Sequence, residues 1–199
     1  YILEHASCSR DELIDALFED DEEIDTTHAL HNILFLLRKS IAPVELKLQA
    51  QRYFLKGEVW YDAKKFTTEV TAALASRELQ PERLAAALQL YRRDYLDQLY
   101  SNWVIERQRY LLELYLKGLK RLAEYHQGTR DYAQAVLLWK QILLKDPYNE
   151  EAYRAEITCL LALNNKPEAL RQYTQCVKAL EELDLQPSLE TRSLLQKLA

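Results

Sequence analysis

The sequence predicts a mainly helical protein in two parts, a small module of helices with one β-hairpin followed by an array of paired helices. Three observations carry this. Only 3 Gly and 5 Pro occur in 199 residues, among abundant Ala, Leu, Glu, Lys, Arg and Gln, so breakers are few and helix propensity is high. Apolar and polar residues alternate, imperfectly, from Val44 to Leu55. Beyond residue 130 an apolar pattern recurs at a spacing of 34 residues.

The elements follow in order. Ser9 and Glu12 form a capping box, in which a hydroxyl and a carboxylate three residues apart satisfy each other's free amides, ahead of "LIDALF". That short helix gives way at Glu19 to Asp25 to a solvated acidic connection. With no Gly for the sharp turn, this stretch is not a calcium loop. In "HALHNILFLLRKSI", residues 28 to 41, Leu30, Leu34, Leu37 and Ile41 fall on one line with Ile33 beside them, which makes that face core. The opposite stripe holds His28, Asn32, Phe35 and Lys39, flanked by His31 and Arg38, and Pro43 closes the helix. Val44 to Leu55 then reads as a hairpin, although no Asn-Gly or Asp-Gly marks its turn. This order matches a winged helix-turn-helix lacking its front end.

Everything after "GEVWYD" reads as helices, over 63–76, 81–91, 102–126, 130–145, 149–164, 167–183 and 188–198. Ala135, Trp139 and Ile142 recur as Ala169, Tyr173 and Cys176, with Pro147 where a helix pair ends. The period of about 34 is that of tetratricopeptide repeats, whose small Ala lies at a close helix crossing and whose aromatic lies one turn on. Trp60, Trp103, Trp139 and the 13 Tyr are expected mainly in the core, as are Cys159 and Cys176.

Composition excludes several classes. No run approaches the roughly 18 apolar residues of a membrane span, and the start lacks the basic-then-apolar order of a signal peptide. Three cysteines without close pairing fit a reducing compartment, so the expectation is a cytoplasmic protein. Opening on Tyr1 in an apolar run and containing no Met, the chain reads as a piece of a longer protein. No Gly-rich phosphate loop, nucleophile motif or Cys/His cluster is present, which points away from an enzyme and predicts no cofactor. His28 and His31 lack a third ligand at metal spacing. Net charge is −5, yet it is uneven: from Glu4 to Asp25 there are ten acidic residues and one Arg, from Arg38 to Lys65 seven basic and three acidic. The first stretch repels DNA and the second attracts it.

The residues also carry a family resemblance. "RRDYLDQLYSNWVIERQRYLLELYLKGLKRLAEYH" with the later "DPYNEEAYR" and "LQPSLETRSLL" resembles the bacterial transcriptional activator domain, over residues 60–199. Residues 1–59 are similar to the OmpR-like winged helix that accompanies it in SARP-type regulators: "SRDELIDALFED" matches that family's first recognisable helix, "ALHNILFLLRKSI" its recognition helix, "RYFL" its wing and "VWYDAKKF" its junction.

The resemblance implies a DNA-binding transcription regulator with double-stranded DNA as partner. Its helical domain would contact RNA polymerase, an effector domain of the same chain, or a second copy in a homo-oligomer. The DNA-contact candidates are Thr27, His28, His31, Asn32, Phe35, Arg38, Lys39, Lys47 and Arg52. His28, His31 and Asn32 are assigned to base edges, Phe35 to a thymine methyl or a wedge, and Arg38 and Lys39 to phosphates, while Lys47, Arg52 and Lys56 would follow the backbone beside the groove. Leu36 stands where the family usually carries Arg, Phe35 where it carries a small polar residue, and Arg52 where it carries Gly. These departures support the alternative reading, a helical-repeat interaction module whose winged helix contacts protein instead of DNA.

Overall fold

A computed structural model of the chain describes residues 1–18 and 25–195. Most of the expected acidic connection and the end of the final expected helix lie outside those residues. The described elements run α1 (Ile2–His5), β1 (Cys8–Ser9), α2 (Arg10–Phe18), α3 (Thr26–Ser40), β2 (Glu45–Gln49), β3 (Arg52–Lys56), α4 (Asp62–Ala75), α5 (Pro81–Leu88), α6 (Asn102–Gly128), α7 (Tyr132–Lys145), α8 (Glu150–Ala162), α9 (Lys166–Glu181) and α10 (Leu189–Ser193). They form two compact units, Tyr1–Phe66 with Arg92–Leu111, and Thr67–Tyr91 with Leu112–Ala199. No helix among the described residues is long and apolar enough to cross a membrane.

In the first unit, α2 begins with the expected capping box: the Ser9 amide donates to Glu12 Oε2 at 2.9 Å and the Glu12 amide to Ser9 Oγ at 3.1 Å. Helix α3 is capped by Asp25, whose carboxylate accepts from the His28 amide at 3.1 Å. Leu30 and Leu34 of α3 are buried with Cys8, Leu13 and Leu46, and Leu37 and Ile41 pack on the same cluster. Ile33 departs from the expected core face, for it is 41% exposed. An apolar line on a helix marks the direction of the core but not how far the covering elements reach around it.

The sheet has the order β1-β3-β2, all antiparallel. The register Gln49↔Arg52 leaves a two-residue turn, Ala50-Gln51, with φ of +48° and +62°. Positive φ at both central positions is the type I′ signature, here carried by two residues that disfavour it. Residues of the 92–111 stretch fold onto this unit. The Trp103 indole donates to the Ala16 carbonyl at 3.0 Å, and Arg107 Nε lies 2.9 Å from Glu4 Oε1, which also accepts from the Tyr61 hydroxyl. The Tyr61 and Tyr95 hydroxyls are 2.9 Å apart.

In the second unit, α7, α8 and α9 pack each on the next. Ala135, Trp139 and Ile142 of α7 and their counterparts Ala169, Tyr173 and Cys176 of α9 are all buried. The period extends to the helix boundaries. Arg130 and Asn164, 34 residues apart, both take positive φ, and the residue after each donates to the carbonyl five back, Asp131 to His126 and Asn165 to Leu160. Asp131 and Asn165 then cap the next helices. Each helix stop thus runs directly into a helix start, with Arg or Asn in the place usually given to Gly. Gly118 of α6 has a different task. A Cβ there would stand 2.7 Å from Leu88 Cδ2 and 3.1 Å from Val70 Cγ1.

The segments "DPYNEEAYR" and "LQPSLETRSLL" meet in space. Arg154 Nη1 reaches Ser188 Oγ at 3.4 Å and Thr191 Oγ1 at 3.3 Å, and the Ser188 amide donates to Glu150 Oε1 at 2.7 Å. Burial alone would raise the Glu150 carboxyl; hydrogen bonds from Thr191 and Ser188 and the Arg154 charge bring it below its ordinary value. The spacing of these two motifs is therefore that of a polar staple between α8 and the start of α10.

Candidate nucleic-acid interface

Helix α3 contains no Asp or Glu, and its last turn carries Arg38 and Lys39, which favour the negative end of the helix dipole. Thr27, His28, His31, Asn32, Phe35, Arg38 and Lys39 are all exposed; at about 100° per residue His28, Asn32, Phe35 and Lys39 stand opposite the Leu30–Leu34 line, with His31, Arg38 and Thr27 along its edge. Phe35 is 50% exposed, and Lys39 Nζ lies 4.4 Å from its ring centroid, so a cation–π contact one helical turn long couples the two. The ring is not packed beneath the wing. Leu36 is 63% exposed, and with Ile33 and Leu48 it leaves apolar surface beside the polar stripe.

The wing cations are placed differently from one another. Lys47, on the exposed face of β2, pairs with Glu45 two residues back along the strand. Arg52 is fully engaged: Nε donates to Ser7 Oγ at 3.0 Å, Nη2 to the Ser7 carbonyl at 2.8 Å and to Glu12 Oε2 at 2.9 Å, and Nη1 to Glu12 Oε1 at 3.3 Å. Glu12 thus serves the capping box and the wing together. The Ser9 amide and then the Arg52 guanidinium hold its carboxyl below the ordinary range. Lys56, at the far end of β3 from the turn, is exposed.

Two further residues join this surface that the sequence alone did not single out. Arg10, first residue of α2, and Tyr53 of β3 line one depression with Asp25, Thr27, His28 and His31. A lone cation at the N-terminus of the helix preceding the recognition helix was the available signal for Arg10. Among the described residues no group of three His, Cys, Asp or Glu is arranged to hold a metal ion. The surface offers hydrogen-bond donors, cations and the Phe35 and Tyr53 rings, a set suited to phosphates and base edges.

Comparison with known proteins bears on both units. The family model for the bacterial transcriptional activator domain matches residues 61–199. Mycobacterium tuberculosis EmbR, solved in complex with a low-affinity phosphopeptide, superposes with a TM-score of 0.74 at 24% identity over 96% of this chain. This chain spans 54% of the EmbR chain. A Bacteroides ovatus protein superposes over 68% of this chain and 63% of its own, with a TM-score of 0.38 and 18% identity. No curated protein matches. The EmbR likeness establishes the fold of a winged helix with a helical domain.

Proposed function

Since the chain belongs to the bacterial transcriptional activator domain family through residues 61–199, we propose that it is a transcription regulator of the activator type whose winged helix binds duplex DNA. The observation that carries this reading is the acid-free outer face of α3, ending in Arg38 and Lys39 beside the β2–β3 wing. In this reading α3 enters the major groove. His28, His31 and Asn32 meet base edges, Thr27 the backbone near the helix start, and Phe35 a thymine methyl. Lys39, Arg38 and Lys47 neutralise phosphates, while Arg52 braces the wing against Ser7 and Glu12. The helical-repeat unit dimerises the protein or recruits the transcription machinery.

A second reading rests on a specific observation. Ile33, Phe35, Leu36 and Leu48 expose an apolar surface on the same unit, and a protein partner would bury it. Selection from a random duplex library separates the two. An enriched site, bound with a steep salt dependence because phosphate contacts release counterions, supports the regulator. Failure to enrich any site at low salt supports the protein-contact reading.

A further inference from the structure

The second unit holds a buried acid at a place where no sequence pattern announces one. Glu156 lies on the buried face of α8 among Ala152, Tyr153, Ile157, Cys159 and Leu160. Its exposure is 0%, and neither carboxyl oxygen has a hydrogen-bond partner. The nearest cation, Lys140 of α7, stands 3.8 Å away, too far for a hydrogen bond, and lies 3.6 Å from Glu168 of α9 as well. Glu168 in turn accepts from Gln172 and pairs with Arg171 at 2.9 Å. One shared ammonium therefore serves two carboxylates, only one of which reaches solvent.

We infer that Glu156 is a proton-binding site that makes the packing of α7, α8 and α9 dependent on pH near neutrality. A buried carboxylate without hydrogen bonds loses its hydration and gains nothing equivalent, whereas the neutral acid is tolerated at far lower cost. The charged groups facing it agree: Lys140 favours the anion from a distance, Glu168 disfavours it, and no cation on α8 itself approaches. Burial, opposed by Lys140 and reinforced by Glu168, pushes the carboxyl up to about 7. The sign follows from linkage. With the folded-state value raised, the stability tied to this proton is complete below the ordinary Glu range. It is lost progressively as pH rises toward the folded-state value, and it stays lost above it.

The test is a carboxyl carbon NMR titration of Glu156 in the wild-type chain, together with urea unfolding of the wild type and Glu156→Leu at pH 5 and pH 8. The Glu156 resonance should titrate near neutral pH, and move higher still in Lys140→Gln. The wild-type folding equilibrium constant should fall on the order of a hundredfold between the two pH values through this group, a fall that Glu156→Leu removes. A Glu156 resonance that titrates in the ordinary carboxylate range overturns the inference. So does a parallel loss of stability in both proteins. The titration needs only the wild-type fold, so it decides the matter even if Glu156→Leu does not fold.

Discussion

Replacing Ala50-Gln51 by Asn-Gly should stabilise the winged helix. These two residues form the whole turn between β2 and β3, at φ of +48° and +62°. An L-residue with a Cβ in that region costs about 1 kcal/mol, so the pair holds about 2 kcal/mol of backbone strain. Asn relieves part of this by bonding to its own backbone, and Gly removes it at its position. The added freedom of Gly in the unfolded chain returns about 0.5–1 kcal/mol. The net expectation for Ala50→Asn with Gln51→Gly is about 1 kcal/mol of added stability, or roughly a 0.5 M rise in the urea midpoint. Amide hydrogen exchange across the hydrogen-bonded Lys47↔Phe54 and Glu45↔Lys56 pairs should slow in step, whereas Gln51→Pro, which cannot adopt the observed φ, should open the hairpin. A double variant no more stable than the wild type would refute the strain argument.

Other sites give equally direct expectations. Gly118→Val should destabilise the second unit by about 2–3 kcal/mol in urea unfolding, since its Cβ alone would stand 2.7 Å from Leu88 Cδ2 and 3.1 Å from Val70 Cγ1 and two methyl groups add to that crowding. Gly118→Ala places the same Cβ 2.7 Å from Leu88 Cδ2, so it too should destabilise, by about 1 kcal/mol, the shift forced on Leu88 outweighing the gain in helix propensity. Arg154→Ala should lower stability by about 2 kcal/mol and raise the exchange rate of the Thr191 amide, because Ser188 and Thr191 lose a charged partner. Glu12, with its carboxyl held below the ordinary range, adds stability that is present above that range and lost as pH falls through the folded-state value. Unfolding followed from about pH 6 to pH 3 should show a shallower acid loss in Glu12→Gln.

The elements legible in the sequence are those set by neighbours along the chain. The Ser9–Glu12 box, the Leu30–Leu34 stripe and the 34-residue recurrence of Ala, aromatic and apolar residue each depend on spacings within one or two turns, or on repetition. Features decided by partners far along the chain were not legible. Arg52 reads as a wing cation, yet its guanidinium belongs to Ser7 and Glu12, 40 residues and more away. Glu156 reads as an ordinary polar position in "AYRAEITCLL", and only the closing of α7 and α9 over α8 buries it. The strands of the hairpin were visible in their alternation, but its turn was not, because Ala and Gln carry no preference for positive φ. Helix α1 and strand β1 are too short for periodicity to register. On the candidate interface, the apolar stripe placed the exposed side of α3, whereas Arg10 and Tyr53 required the fold to bring them beside His28 and His31.

If α3 and the wing bind the phosphate backbone of a duplex, binding must weaken with salt in proportion to the phosphates neutralised. Fluorescence anisotropy across salt would be measured with the selected duplex for the wild type, Lys39→Ala and Arg52→Ala. Loss of one phosphate contact should reduce the slope of log affinity against log salt by about 0.9 in Lys39→Ala. Arg52→Ala, whose side chain is committed to Ser7 and Glu12, should leave that slope near the wild-type value while lowering stability. A wild-type chain that binds no duplex, or a Lys39→Ala slope equal to the wild type, would contradict the account.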